Sequence, residues 1–214
     1  MEHGKQAWSG EEARAAKRAS LLLRRAKLVC QSGEYLCLIR DVSSLGVGLG
    51  FAHPVPPEKR TLLQLSNDLT YPVERVWTGQ RQAGYQFGGE ITVEEFLREQ
   101  SPHPSRPLRL NMTGNVRIQD ARQRIDARLV DLSCEGAKVA SQAELKLGRL
   151  ITFELDGLPA QLAQVRWNEN GRYGIQFQHA IDTEELARCA LHLQPFDKTR
   201  SSGFSKLLRK ARAA

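Results

Sequence analysis

The 214-residue sequence predicts a mainly β protein, built as two tandem small antiparallel barrels, each followed by a short C-terminal helix. Three observations carry that prediction. A set of residues recurs at a constant offset of 90. Within each copy, short alternating or β-branched segments are separated by turn residues. Both copies then end in a run with helix-start residues.

The recurrence is ordered along the chain. Asp41, Ser43 and Gly46 correspond to Asp131, Ser133 and Gly136. Farther on, Leu65 matches Leu155 and Trp77 matches Trp167. Gly84, Gln86 and Phe87 match Gly174, Gln176 and Phe177, and Ile91, Glu94 and Glu95 match Ile181, Glu184 and Glu185. The shared blocks are D-x-S-x-x-G, a tryptophan, G-x-Q-F and I-x-x-E-E.

The N-terminus reads as a short helix or arm, because Ser9 and Glu12 form a capping-box pattern. On it Arg14 and Arg18 share one face. The first copy spans residues 10–100. Its strands are "RAKLVCQ", "EYLCLIRDV", "GVGLGF", "TLLQLS", "YPVERVW" and "GYQF", and its helix is "TVEEFLREQ". "SPHPSRP" (101–107) is a linker, since proline removes donors and serine competes for backbone bonds. The second copy spans 106–194. Its strands are "GNVRIQ", "IDARLVDL", "GAKVAS", "LITFEL", "LAQVRW" and "YGIQF", and its helix is "DTEELARCALHL". Trp77 and Trp167 could stack on a nucleobase, but each follows strand alternation and the barrel core is the preferred reading.

A formal charge of +7 and a pI near 9.5 suit either an anionic partner or simple solubility. The basic tail at 195–214 includes "FSKLLRKA", which could touch an anionic membrane, but a solvated terminus is the preferred reading. Cys30, Cys37, Cys134 and Cys189 form no C-x-x-C pair and read as reduced, buried thiols. "MEHGKQAWSGEEARAAKR" lacks an apolar signal segment, so a cytoplasmic setting is expected. His3, His53, His103, His179 and His192 are scattered without metal-ligand spacing, and no catalytic constellation stands out. Neither enzymatic activity nor a cofactor or metal is expected. The charge alone does not make a nucleic-acid binder, because an exposed aromatic-plus-basic strand pattern is missing.

"RDVSSLGVGLGF" invites a phosphate-cradle reading through Gly46, Gly48 and Gly50. The repeat argues against it, because Lys138 and Ala140 stand where Gly48 and Gly50 do. What recurs is Asp, Ser and the first Gly. Along a strand Asp41 and Ser43 face one side. A carboxylate with a hydroxyl suits the N1–H and N2–H₂ donors of guanine. The same residues could instead cap a hairpin turn through local bonds.

With these motifs the sequence resembles the PilZ domain family, whose members carry R-x-x-x-R and, some twenty residues later, [DN]-x-S-x-x-G. The resemblance implies six-stranded barrels with a C-terminal helix, and cyclic di-GMP as the ligand. It places binding in the first copy on Arg14, Arg18, Asp41, Ser43 and Gly46. The second copy keeps "DLSCEG" but offers only R-x-x-R, with Ser105 at the position of the first arginine. Arg106, Arg109, Asp131, Ser133 and Gly136 would form a weaker second site. The arginine pair suits this ligand, because guanidinium forks onto phosphate or guanine and stacks on a base. The implied function is a non-enzymatic second-messenger receptor that changes its conformation or contacts, bearing on motility, polysaccharide or biofilm. A protein partner and a homodimer are expected interactions of such a receptor. The alternative is a PilZ-type interaction scaffold that binds no nucleotide.

Overall fold

The computed structural model describes residues 19–98, 107–120 and 123–196, with side chains from residue 23 onward. The expected N-terminal helix, with Arg14 and Arg18, lies outside the described residues. So do Arg106, residues 101–106 of the linker and the tail after Phe196.

The first barrel uses β1 (Ala19–Val29), β2 (Glu34–Val42), β3 (Gly46–Gly50), β4 (Arg60–Leu65), β5 (Thr70–Thr78) and β6 (Gln82–Phe87). These close in the order β1-β2-β3-β6-β5-β4, all antiparallel. Helix α1 (Val93–Leu97) follows. It buries Phe96 against Tyr71 and Phe87, with ring centroids 5.3 and 5.8 Å away. Arg24 donates to the Leu97 carbonyl at 2.8 Å, satisfying an orphan acceptor at the helix end.

The second barrel repeats the plan with β8 (Asn115–Gln119), β9 (Arg124–Ser133), β10 (Gly136–Ala140), β11 (Leu150–Leu155), β12 (Gln161–Glu169) and β13 (Arg172–Phe177). The sheet order β10-β13-β12-β11-β8-β9 is closed by a β9–β10 pairing. A two-residue strand, β7 (Leu110–Asn111), adds to β9 opposite Asp131 and Leu132. Strict alternation in "NVRIQ" and "RIDARLV" buries Val116, Ile118, Ile125, Ala127 and Leu129. Helix α2 (Thr183–Leu193) starts at a capping box formed by Asp182 and Glu185. Leu186, Ala187, Cys189 and Ala190 face its core.

The two barrels share buried surface. α2 packs on β2 of the first barrel, and Leu36 of β2 belongs to the second barrel's core cluster. Phe196 meets Tyr35 edge-on at 5.0 Å, and the Tyr35 hydroxyl donates to the Gln194 carbonyl. Lys27 and Glu34 form a buried ion pair that reaches Arg109 and Asn111 of the second half. All four cysteines are buried, and none forms a disulfide.

One sequence expectation is corrected. Trp77 and Trp167 are not core residues: they are 50% and 38% exposed. β5 has an extra residue between Arg75 and Trp77, and β12 has one between Val165 and Trp167. A bulge shifts the inside–outside parity by one, so each tryptophan lands on the outer face.

Candidate functional site

The motif aspartate sits beside a second bulge, common to both barrels. Ile39 pairs with Leu49 and Asp41 with Gly48, which leaves Arg40 extra. In the second barrel Leu129 pairs with Val139 and Asp131 with Lys138, leaving Val130 extra. Simple alternation from the buried Ile39 would aim Asp41 inward. The bulge restores an outward carboxylate, and Asp41 is half-buried.

Ser43 and Gly46 build the turn after it. Ser43 N–H donates to the Gly46 carbonyl at 2.8 Å, and its hydroxyl both donates to that carbonyl and accepts from Gly46 N–H. Ser133 repeats the hydroxyl bond to Gly136 at 3.0 Å. Both serines are buried, at 3% and 0% exposure. β2 ends at Val42, so the strand period that would align Asp41 with Ser43 stops short of the serine. Glycine is needed at 46 and 136 for close strand approach. A Cβ there would come 2.7 Å from the Tyr85 carbonyl oxygen and 2.2 Å from that of Ile175.

Across the first barrel the register aligns Asp41, Gly48, Gly84 and Trp77 in one row over β2, β3, β6 and β5. Directly paired residues share a face, so the two glycines form a backbone floor. Asp41 lies over Gly48, where a Cβ would meet its Oδ2 at 2.4 Å. The Trp77 indole lies over Gly84, where a Cβ would meet its Nε1 at 2.0 Å. An acceptor carboxylate and an exposed indole thus lean in from the two ends of one flat strip. That strip offers hydrogen-bond acceptors and an aromatic edge to a planar ligand. The sequence reading weighed Gly48 for a phosphate cradle and Trp77 for base stacking and assigned neither to the site. The signal that could have found Gly48 was its replacement by Lys138 in the repeat.

The second barrel aligns Asp131, Lys138, Gly174 and Trp167 in the same row. Here the strip is filled. Lys138 Nζ is 3.0 Å from Asp131 Oδ2 and 6.0 Å from the Trp167 ring centroid. Arg109, a predicted ligand residue, places Nη1 2.6 Å from Asp131 Oδ1. Both carboxylate oxygens are therefore bridged by cations, and the Asp131 side chain is only 5% exposed.

The chain enters the first barrel beside the motif, since β1 sets Ser20 opposite Asp41. Arg14 and Arg18 precede this point in sequence. Between the first barrel and α2 runs a cleft of about 290 Å³. Leu36, Leu38 and Phe51 line it together with Ala187, while Arg40 and Arg81 add positive charge. At its edge Leu23 adopts a left-handed φ of 42°, uncommon for a non-glycine residue. Among the described residues no group of three or more His, Cys, Asp or Glu could hold a metal ion, and no helix is long and apolar enough to cross a membrane.

Residues 103–192 match the family model described as the PilZ domain, so the second copy carries a PilZ domain. No curated protein matches the chain. Several solved structures resemble it, three of which follow. The PilZ domain of CeSA from a cellulose-synthesizing bacterium is 20% identical over 40% of this chain and 94% of that one, with a TM-score of 0.32. PlzA of Borreliella burgdorferi, in complex with c-di-GMP, is 13% identical over 84% and 94%, with a TM-score of 0.35. YcgR of Escherichia coli, also in complex with c-di-GMP, is 15% identical over 89% and 86%, with a TM-score of 0.32.

Proposed function

We propose that the chain is a tandem-PilZ receptor for cyclic di-GMP and that its working site lies on the first barrel. The observation that carries this reading is the row Asp41–Gly48–Gly84–Trp77, set on the outer face of a barrel that repeats the matched PilZ domain at an offset of 90 residues. Asp41 accepts the N1–H and N2–H₂ donors of one guanine. Ser43 and Gly46 hold the hairpin that carries Asp41. Arg14 and Arg18 fork onto phosphate or onto guanine O6 and N7, and stack on a base. Trp77 adds an indole edge beside the ring.

The receptor is non-enzymatic and works in the cytoplasm. Binding brings Arg14 and Arg18 onto the ligand, and the outcome is an altered contact with a protein partner or a second copy of the chain. Control of motility, polysaccharide or biofilm is the output class this ligand implies. Isothermal calorimetry with cyclic di-GMP tests the reading. Wild type binds at micromolar protein, and Arg18→Ala and Asp41→Ala each weaken binding at least tenfold. Absence of heat with wild type rejects the receptor. Unchanged affinity in both variants rejects the residue assignment.

A scaffold role belongs to the second barrel, and one observation favours it. Lys27, Glu34, Asn111 and the Arg109 carbonyl lock its first strand to the first barrel. In this reading the second copy is a platform rather than a second sensor.

A further inference from the structure

We propose that the cleft between the first barrel and α2 is a ligand site in its own right, built for a small carboxylate with an apolar body. Among the described residues no motif residue lines it, so it stands apart from the receptor reading above.

The walls are apolar. β2 turns Leu36 and Leu38 toward the cleft, and Leu36 is buried with Ala187 of α2 in the second barrel's core cluster. This face is private to the first copy. Asp126 and Arg128, both exposed, stand at the positions of Leu36 and Leu38 in the repeat. Packing of α2 accounts for Leu36. It leaves Leu38 only partly covered and Leu23, at the cleft edge, 63% exposed. Residues 21–23 of β1 lie opposite Arg40 alone, and this bulge ends on Leu23 with its φ of 42°. An exposed leucine on a left-handed backbone is unfavourable on both counts, and such strain gathers at ligand clamps.

The rim is positive. The stem of Arg40 lies over Gly50, where a Cβ would come 3.3 Å from its Cδ. Its Nη1 donates to Gln82 Oε1, a neutral amide, at 3.2 Å. Arg81 adjoins Gln82, and its carbonyl accepts from Phe51 N–H at 2.8 Å, which ties it to the same end of the barrel. Among the described residues neither arginine has a carboxylate partner. Glu184, on the α2 wall, lies 3.6 Å from Arg188 of its own helix. Two guanidinium groups at the mouth of an apolar cleft complement an anion, and their planar forks match a carboxylate. A volume of about 290 Å³ is at the lower end for ligand sites, so it suits a short alkyl or aryl body rather than two linked nucleotides.

The test uses the full-length chain with octanoate as the probe and octanol as its neutral counterpart, followed by calorimetry. Circular dichroism melts confirm that each variant is folded. Octanoate is expected to bind wild type at one site per chain, and octanol at least tenfold more weakly. Arg40→Gln and Arg81→Gln are each expected to weaken octanoate at least fivefold and to leave octanol within twofold. Leu23→Ser is expected to weaken both probes at least threefold. Absence of octanoate binding to wild type overturns the proposal, and so does equal binding of the two probes. Unaltered octanoate affinity across Arg40→Gln, Arg81→Gln and Leu23→Ser places the binding elsewhere and overturns it too. One-for-one displacement of octanoate by cyclic di-GMP would make the cleft part of the nucleotide site and overturn a site of its own.

Discussion

Lys27 Nζ lies 2.6 Å from Glu34 Oε2, and both side chains are buried where the two barrels meet. Glu34 also accepts from Asn111 N–H and Nδ2, each at 2.8 Å, while Lys27 donates to the Arg109 carbonyl at 2.8 Å. Such a pair holds only because the lone pairs and protons around it find partners. Removing one member strands the other.

The first prediction follows from that. Glu34→Gln keeps the shape but removes the counter-charge, and should cost about 3–5 kcal/mol in urea unfolding. Lys27→Met alone should cost a similar amount. The double variant should cost less than the sum of the two, which gives a coupling energy by double-mutant cycle. Additive losses would mean that the pair does not act as a unit.

Glycine positions differ sharply in what they tolerate. Gly46→Ala sets a methyl 2.7 Å from the Tyr85 backbone oxygen, so β3 and β6 must separate. It should destabilise the chain by about 1–3 kcal/mol, read as a lower urea midpoint. Gly89 is exposed, and an added methyl there would have nothing within 4 Å, so Gly89→Ala should leave the midpoint unchanged or slightly higher. Equal effects at the two positions would refute close strand approach as the reason for the motif glycine.

Much of this fold is legible in the sequence, because duplication supplies an internal check on each element. The bulges are not. Counting by twos from Val73 puts Trp77 inside, and from Val165 it puts Trp167 inside; one extra residue in each strand reverses both. The same device at Arg40 turns Asp41 outward. Bulges are set by the register of two strands together, and a pattern read along one strand cannot contain them. Asp41 and Gly46 are legible as a motif. Their neighbours Gly48 and Trp77 are not, since they reach the strip only through cross-strand pairing.

The thiols give a prediction with a defined sign. Burial raises the pKa of Cys30 and Cys37 well above the ordinary 9.0, and that of Cys189 to about 12. At pH 8 these groups are protonated and enclosed, so the native chain should react negligibly with a thiol reagent, and all four cysteines should react in denaturant. A raised folded-state pKa leaves stability intact below the unfolded value and removes it as pH rises above. Unfolding free energy should therefore hold to about pH 9 and then fall by roughly 1.4 kcal/mol per thiol per pH unit. Rapid labelling of native protein at pH 8 would contradict the buried placement.

The tryptophans can report which copy takes the ligand. Trp77 is half exposed at the end of the glycine-floored strip, whereas Trp167 stands in a row that carries Lys138. A guanine seated beside Asp41 lies against Trp77 and should quench its emission by stacking. Cyclic di-GMP should therefore dim the fluorescence of wild type and of Trp167→Phe, with most of the change lost in Trp77→Phe. Trp8 contributes the same background to all three proteins. If Trp167→Phe instead abolished the response, the ligand would have to displace Lys138 from Asp131, and the second barrel would be the sensor. The two outcomes are mutually exclusive at a one-to-one stoichiometry, so a single titration series assigns the site.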